Sequence, residues 1–327
     1  MAARVRRSSF DAELEALREV RAEPRCEAAR GVLRRALGHA SWLVVSEAAK
    51  LIGEHELEGF GAELVAVWPR FAEEGKKRDP GCRAKEAALT ALDRTGHVDP
   101  DPFLGAIRYR QLEPVLGGTV DTATGVRLRA LSALWRLFHP DAPLYAGELM
   151  ADPDAGLRAG VARAIGDQGD RGSAALLVHK LRAGDEDAVV LAECASSLLA
   201  VAHDFGAALL GSLLEGRDEL RREAAALALG QSKDPADVSC LLEWLRGVAY
   251  DQDFDLGVRA LGLGRSEPAR RFLLELVEEG SPPRARRAIE ALGVHGYDQE
   301  LGVRVRRAAA KNPRARLGEL VERLFRS

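Results

Sequence analysis

The chain has 327 residues, a formal net charge of −3, 46% apolar residues and only 5% aromatic ones. A core so poor in rings must be built from Leu, Ala and Val, which together with abundant Arg and Glu favours helix and argues against a β-rich fold. The near-neutral balance argues against phosphate binding by the whole surface, although from Arg284 onward basic residues outnumber acidic ones eleven to five.

Two further classes are not expected. The basic start MAARVRRSSF leads into no apolar run of about 7–15 residues, so it does not read as a secretory signal. No stretch approaches ~18 apolar residues, so no membrane span is expected. Cys26, Cys82, Cys194 and Cys240 form no CxxC pair and no disulfide-like spacing, which fits a reducing cytoplasm.

In chain order, residues 9–22 read as an opening amphipathic helix. A second run starts at Ser41-Trp42 and ends at Ile52-Gly53. The Ala-rich run KEAALTAL closes at Leu92 and VRLRALSAL closes at Leu134, spacings of 40 and 42 residues. From there the period tightens. Apolar-small or apolar-apolar pairs close helical runs at Ile165-Gly166, Leu198-Leu199, Leu229-Gly230, Leu261-Gly262 and Leu292-Gly293, spaced 33, 31, 32 and 31 residues apart. Each Ala-rich run is followed by a Gly/Asp/Pro turn and a second amphipathic run, such as ADVSCLLEWLRG. Gly after a run reads as a left-handed C-cap and Asp before one as an N-cap. NPRARLGELVERLF at 313–326 reads as a closing helix.

A unit of this length holds two helices of about 10–13 residues, neither of which buries its apolar stripe until units stack. An independent signature is an Asp six residues before a basic residue: Asp79/Lys85, Asp121/Arg127, Asp152/Arg158 and Asp253/Arg259. The expected fold is therefore all-α, a solenoid of about eight helix pairs. Its segments are capping helices at 1–40, divergent repeats with insertions at 41–125, regular repeats at 126–312 and a closing cap at 313–327.

DPDAGLRAGVARAIGDQGDRGSAALLVHKL and LRREAAALALGQSKDPADVSCLLEWL resemble the short HEAT-like repeats first associated with phycobilisome lyases. KRDPGCRAKEAALTAL and RQLEPVLGGTVDTA are similar to stretches of uncharacterised bacterial HEAT-repeat proteins. The resemblance implies a fold and no one activity.

The period breaks in two segments, roughly 70–82 and 95–121, and insertions of this kind map to loops on one face. They carry Lys76, Lys77, Arg78, Arg108, Tyr109, Arg110, Gln111, Glu113, Gly117 and Asp121, expected to receive an acidic or phosphate-bearing ligand through Arg forks and an aromatic face. Gly117-Gly118 reads as a tight turn. A second candidate surface is a basic concave face lined by Lys85, Arg127, Arg129, Arg158, Arg163, Arg222 and Arg259; a structural ladder is the competing view of the same residues. Trp42, Trp68, Trp135 and Trp244 read as core anchors.

No dinucleotide fingerprint, P-loop, GxSxG or HExxH is present. The HEAT-like diiron hydroxylases place His-Glu pairs at helix starts, whereas His55-Glu56 falls in a turn after a helix, so no metal is expected. No catalytic residue and no cofactor is expected either. The leading reading is a non-enzymatic cytoplasmic scaffold that binds a protein partner along the concave face or the 76–121 insertion. Two alternatives stay open: a nucleic-acid binder resembling the HEAT-like alkylpurine DNA glycosylases, and a lyase-like chaperone or enzyme using 76–121 with Cys82 as nucleophile.

Overall fold

The computed structural model describes residues 9–248 and 250–325; the first eight residues of the expected opening cap and the last two of the closing one lie outside these. The chain forms two compact units, Met1–Ala164 and Ile165–Ser327.

The first unit contains α1 (Ser9–Val20), α2 (Glu27–Leu37), α3 (Trp42–Glu54), α4 (Gly61–Val65), α5 (Val67–Ala72), α6 (Gly75–Arg78), α7 (Arg83–Arg94), α8 (Asp101–Ala106), α9 (Thr124–Arg136) and α10 (Ala142–Leu149). The unit division falls inside α11 (Ala155–Gln168). The second unit continues with α12 (Ala174–Ala183), α13 (Ala188–Val201), α14 (His203–Leu214), α15 (Glu219–Gln231), α16 (Pro235–Gly247), α17 (Asp251–Leu263), α18 (Glu267–Glu279), α19 (Pro282–Leu292), α20 (Gln299–Ala310) and α21 (Gly318–Leu324).

Each unit is a stack of helices in two layers, the all-α solenoid class expected. In the first unit α3, α7 and α9 stack in sequence, with α2, α4, α5, α8 and α10 against them. In the second, α13, α15, α17 and α19 form the Ala-rich layer and α14, α16, α18 and α20 the other. Local sequence explains the starts of these helices. Asp187, Asp218, Asp234, Ser266 and Asp298 each accept a backbone N–H of the following helix, satisfying a donor the first turn leaves open.

The glycines closing the repeat period do something other than expected. Gly230 and Gly262 lie inside α15 and α17 and neither has a positive φ. A Cβ at Gly230 would sit 2.6 Å from the Ala260 carbonyl oxygen, and one at Gly262 would sit 2.7 Å from that of Ala291. They are small because the helix of the next repeat crosses there at close range, and the left-handed C-cap reading is corrected.

The insertion departs from pure helix. Residues 112–121 form an antiparallel hairpin, β1 (Leu112–Val115) and β2 (Gly118–Asp121), paired Leu112 to Asp121 and Val115 to Gly118. The turn is Leu116-Gly117, with Gly117 at φ 92°, where a side chain would be strained. The hairpin is the one sheet among the described residues.

Of the four tryptophans only Trp135 is buried; Trp42, Trp68 and Trp244 are half-buried, which corrects the core-anchor reading for those three. Among the described residues no helix is long and apolar enough to cross a membrane.

Candidate functional site

The base of the hairpin is a buried polar network. It begins at Asp79, whose Oδ1 accepts from the Ala84 backbone N–H and whose Oδ2 accepts from the Lys85 N–H, capping α7. The Lys85 ammonium closes the motif, donating to Asp79 Oδ2 at 2.9 Å and to the Phe71 carbonyl at 3.1 Å. Its remaining face lies 5.5 Å from the centre of the Tyr109 ring, a cation–π arrangement.

Gln111, the residue before β1, links this motif to the hairpin. Its Nε2 donates to the Asp79 carbonyl and to Glu113 Oε1, and its Oε1 accepts from the Tyr109 hydroxyl. Glu113 Oε1 also accepts from the Gly81 N–H at 2.7 Å and from the Thr122 hydroxyl at 2.8 Å. Burial raises the Glu113 carboxyl, but the bonds from Gln111, Gly81 and Thr122 outweigh it and hold the group below its ordinary range. Gly75 completes the seat, because a Cβ there would collide with Gln111 Oε1 and the Tyr109 hydroxyl.

A second cluster holds the other strand. Asp121 Oδ1 accepts the Gln111 and Ala123 N–H groups, and its Oδ2 accepts from Arg127 at 2.7 Å and Arg110 at 3.3 Å. Arg127 also donates to the Tyr109 carbonyl and, with Arg110, to Asp152. Burial raises the Asp121 carboxyl; the two backbone donors and Arg127 reverse this and lower it.

The insertion residues therefore divide. Tyr109, Arg110, Gln111, Glu113 and Asp121 anchor the hairpin, a structural role that their reading as ligand contacts did not include. Arg108 grips Glu148 through two nitrogens and lies over Tyr145. Arg78 donates to the Arg70 carbonyl. Lys77 is exposed beside Glu74, and Gly117 stands at the open tip.

What the hairpin leaves exposed is apolar. Leu116 is fully exposed, and Leu112, Val115 and Val120 are each close to half exposed. Sequence reasoning passed over these four in favour of the charged residues between them. The available signal was LEPVLGGTVD itself, two short runs carrying Val and Thr about a Gly-Gly pair.

The residues expected to line a basic concave face are likewise engaged within the fold. Lys85, Arg127 and Arg158 are buried, and Arg158 donates to the Asp152 and Pro153 carbonyls. Arg222 pairs with Asp253 and caps Gly216 O. Arg259 pairs with Glu223, and Arg129 lies 3.8 Å from Glu86. Arg163 is exposed and has a polar contact of its own.

Most of these pairs join neighbouring repeats. Arg222–Asp253, Arg259–Glu223, Arg304–Glu267 and Lys311–Glu278 are separated by 31, 36, 37 and 33 residues, about one period. The same ladder uses part of the basic C-terminal segment. The six-residue Asp-to-basic signature holds as a direct ion pair at Asp79/Lys85 and Asp121/Arg127. At Asp152/Arg158 it runs through a backbone carbonyl, and Asp253 and Arg259 choose other partners.

Cys82 sits at the start of α7 with φ 56° and no exposed surface. Burial, opposed by a contact with Thr122, pushes its thiol up to about 11. That is the reverse of an activated nucleophile. Among the described residues no group of three His, Cys, Asp or Glu side chains is placed to hold a metal ion.

No family model and no curated protein matches the chain. Among solved structures it is similar to the complex of CpcE and CpcF of phycocyanin lyase from Nostoc sp. PCC7120. The identity is 15% over 86% of this chain and 93% of the other, with a TM-score of 0.34. That neighbour is of the kind whose short repeats the sequence resembles, and the likeness is too low to place the chain in its family. The expectation of a non-enzymatic chain is withdrawn against this neighbour, which belongs to a lyase, and at this likeness neither an activity nor its absence passes to this chain. What the neighbour acts on is not carried over.

Proposed function

We propose that this helical-repeat protein binds a protein partner through the tip of the 112–121 hairpin. The observation that carries the reading is the contrast between the two ends of that element. Its base is fixed by Glu113, Gln111 and Asp121, its tip offers Leu116 and Val115 to solvent, and Leu112 and Val120 are half-exposed along the strands.

A hairpin held this firmly loses little freedom on docking, so more of the apolar burial appears as affinity. Fully burying one Leu side chain is worth ~1.5–3 kcal/mol, on the order of ten- to a hundredfold in affinity. The tip is built to enter an apolar pocket on a partner. A phosphate-bearing ligand is disfavoured at the hairpin, since Arg110 and Arg127 at its base are already paired with Asp121 and Asp152.

The test is site-specific photocrosslinking in native cytosol. A photoreactive residue at Leu116 should capture a discrete protein that the same probe at Phe138, which is also exposed, does not. Unlabelled wild type should compete and Leu116→Asp should not. If position 116 gives no product beyond that of 138, the hairpin is not the binding element.

A further inference from the structure

The second unit carries a groove that the hairpin reading does not use. It runs between the end of α14, the exposed side of α16 and the start of α17, with an open volume of about 620 Å³. Trp244, half-buried, and Tyr250, 76% exposed, both line it. So do Glu215, Glu243 and Asp253.

The charges in the groove do not balance. Asp253 is neutralised by Arg222, whose Nη1 lies 2.5 Å from it. Among the described residues Glu215 and Glu243 have no ion-pair partner. Two helix ends add to the excess. α14 ends at Leu214 and α16 at Gly247, and both residues line the groove, so the partially negative carbonyl ends face it. Arg222 donates Nε and Nη2 to the carbonyl of Gly216, in the turn that follows α14. The end of α16 runs into extended backbone at Val248.

We propose that this groove receives a lysine or arginine side chain carried by a basic peptide segment of a partner protein. Aromatic faces next to unpaired carboxylates favour an organic cation. An apolar occupant would strip water from two carboxylates and return nothing, and an anion would meet the wrong sign. The groove is also much larger than one ammonium or guanidinium group, so it takes the neighbouring backbone as well. Arg222 shows the chemistry in place, a guanidinium held by a carboxylate and a turn carbonyl of the same groove. Cys240 reports the local field: burial first, then the Glu243, Asp237 and Glu215 carboxylates, raise its thiol above the ordinary value.

Cys240 also supplies the assay, since it lines the groove and is partly accessible. Alkylation by iodoacetamide is followed residue by residue by mass spectrometry in the full chain. Hexalysine amide should slow modification of Cys240 and leave Cys26 unchanged, by about tenfold at nine-tenths occupancy. Hexaglutamate should not, and lysinamide at equal side-chain concentration should protect far less. The protection should disappear in Glu215→Gln/Glu243→Gln, whose exposed side chains leave the fold and its melting point unaltered. Absence of protection by hexalysine, or equal protection in the double variant, overturns the proposal. Equal protection by lysinamide overturns the peptide assignment and makes this a small-amine site. None of these outcomes depends on the hairpin.

Discussion

The Lys85 ammonium lies 2.9 Å from the Asp79 carboxylate, and neither side chain has any exposed surface. A buried pair of this kind adds little net stability over a well-packed apolar pair, but losing one partner strands a charge and costs about 3–5 kcal/mol. Lys85→Met should therefore destabilise the first unit by that order, read as a lowered denaturation midpoint. Asp79 also caps α7 and its carbonyl accepts from Gln111, so the loss should spread to the hairpin. A variant with unchanged midpoint and an intact hairpin would show that the pair is not the keystone of the seat.

Glu113 makes the seat sensitive to acid. Its carboxyl is held below the ordinary glutamate value, about 4.3, so its contribution is fully present above that value. It is lost as pH falls through the lower, folded-state one. The wild-type hairpin should resist proteolysis from neutral pH down through the ordinary carboxylate range and open only below it. Glu113→Gln removes charge-assisted bonds worth about 1.5–3 kcal/mol each at most. It should give a hairpin that is cleaved faster at neutral pH and whose cleavage varies less on acidification. A wild-type hairpin released well above pH 5 would contradict the assigned role.

Helix and repeat phase were readable because they are local properties. Asp218 and Asp234 precede their helices and cap them, and the Ala-rich runs recur at one period. The candidate site was readable only as a place. Tyr109, Gln111, Glu113 and Asp121 look like surface ligands in sequence because nothing local announces burial. It is the approach of Asp79, Gly81 and Gly75, some thirty or more residues earlier, that takes them out of solvent. Leu116 shows the reverse. An apolar residue reads as core by default, and only the turn geometry at Gly117 puts it in water. The inter-repeat ion pairs were half visible, since the arginines stood out but their partners one period away did not.

Thiol reactivity should follow burial and field together. At pH 8 a thiol raised to about 11 is ionised to about one part in a thousand, and Cys194, raised to about 12, is lower still. Iodoacetamide should modify exposed Cys26 first and Cys240 more slowly, leaving Cys82 and Cys194 intact until the chain unfolds. Labelling of Cys82 as fast as Cys26 in the folded protein would restore it as a candidate nucleophile.

Gly230 offers a test in which two simple rules disagree. In an isolated helix Gly→Ala gains about 0.8–1 kcal/mol, because Ala has the better helix propensity. Gly230 lies inside α15, so propensity alone makes Gly230→Ala stabilising. The added methyl would, however, stand 2.6 Å from the Ala260 carbonyl oxygen and 3.1 Å from the Ala260 Cβ. The obstacle is backbone of the next repeat, which moves only if α15 and α17 separate, and overpacking of a tight interface costs about 1–3 kcal/mol. The steric cost exceeds the propensity gain, so the variant should melt lower than wild type. Gly31→Ala, in α2 with open space around its Cβ, should melt no lower and serves as the control. If both substitutions raised the melting point, the close crossing of α15 and α17 would not be what selects glycine at this phase of the repeat.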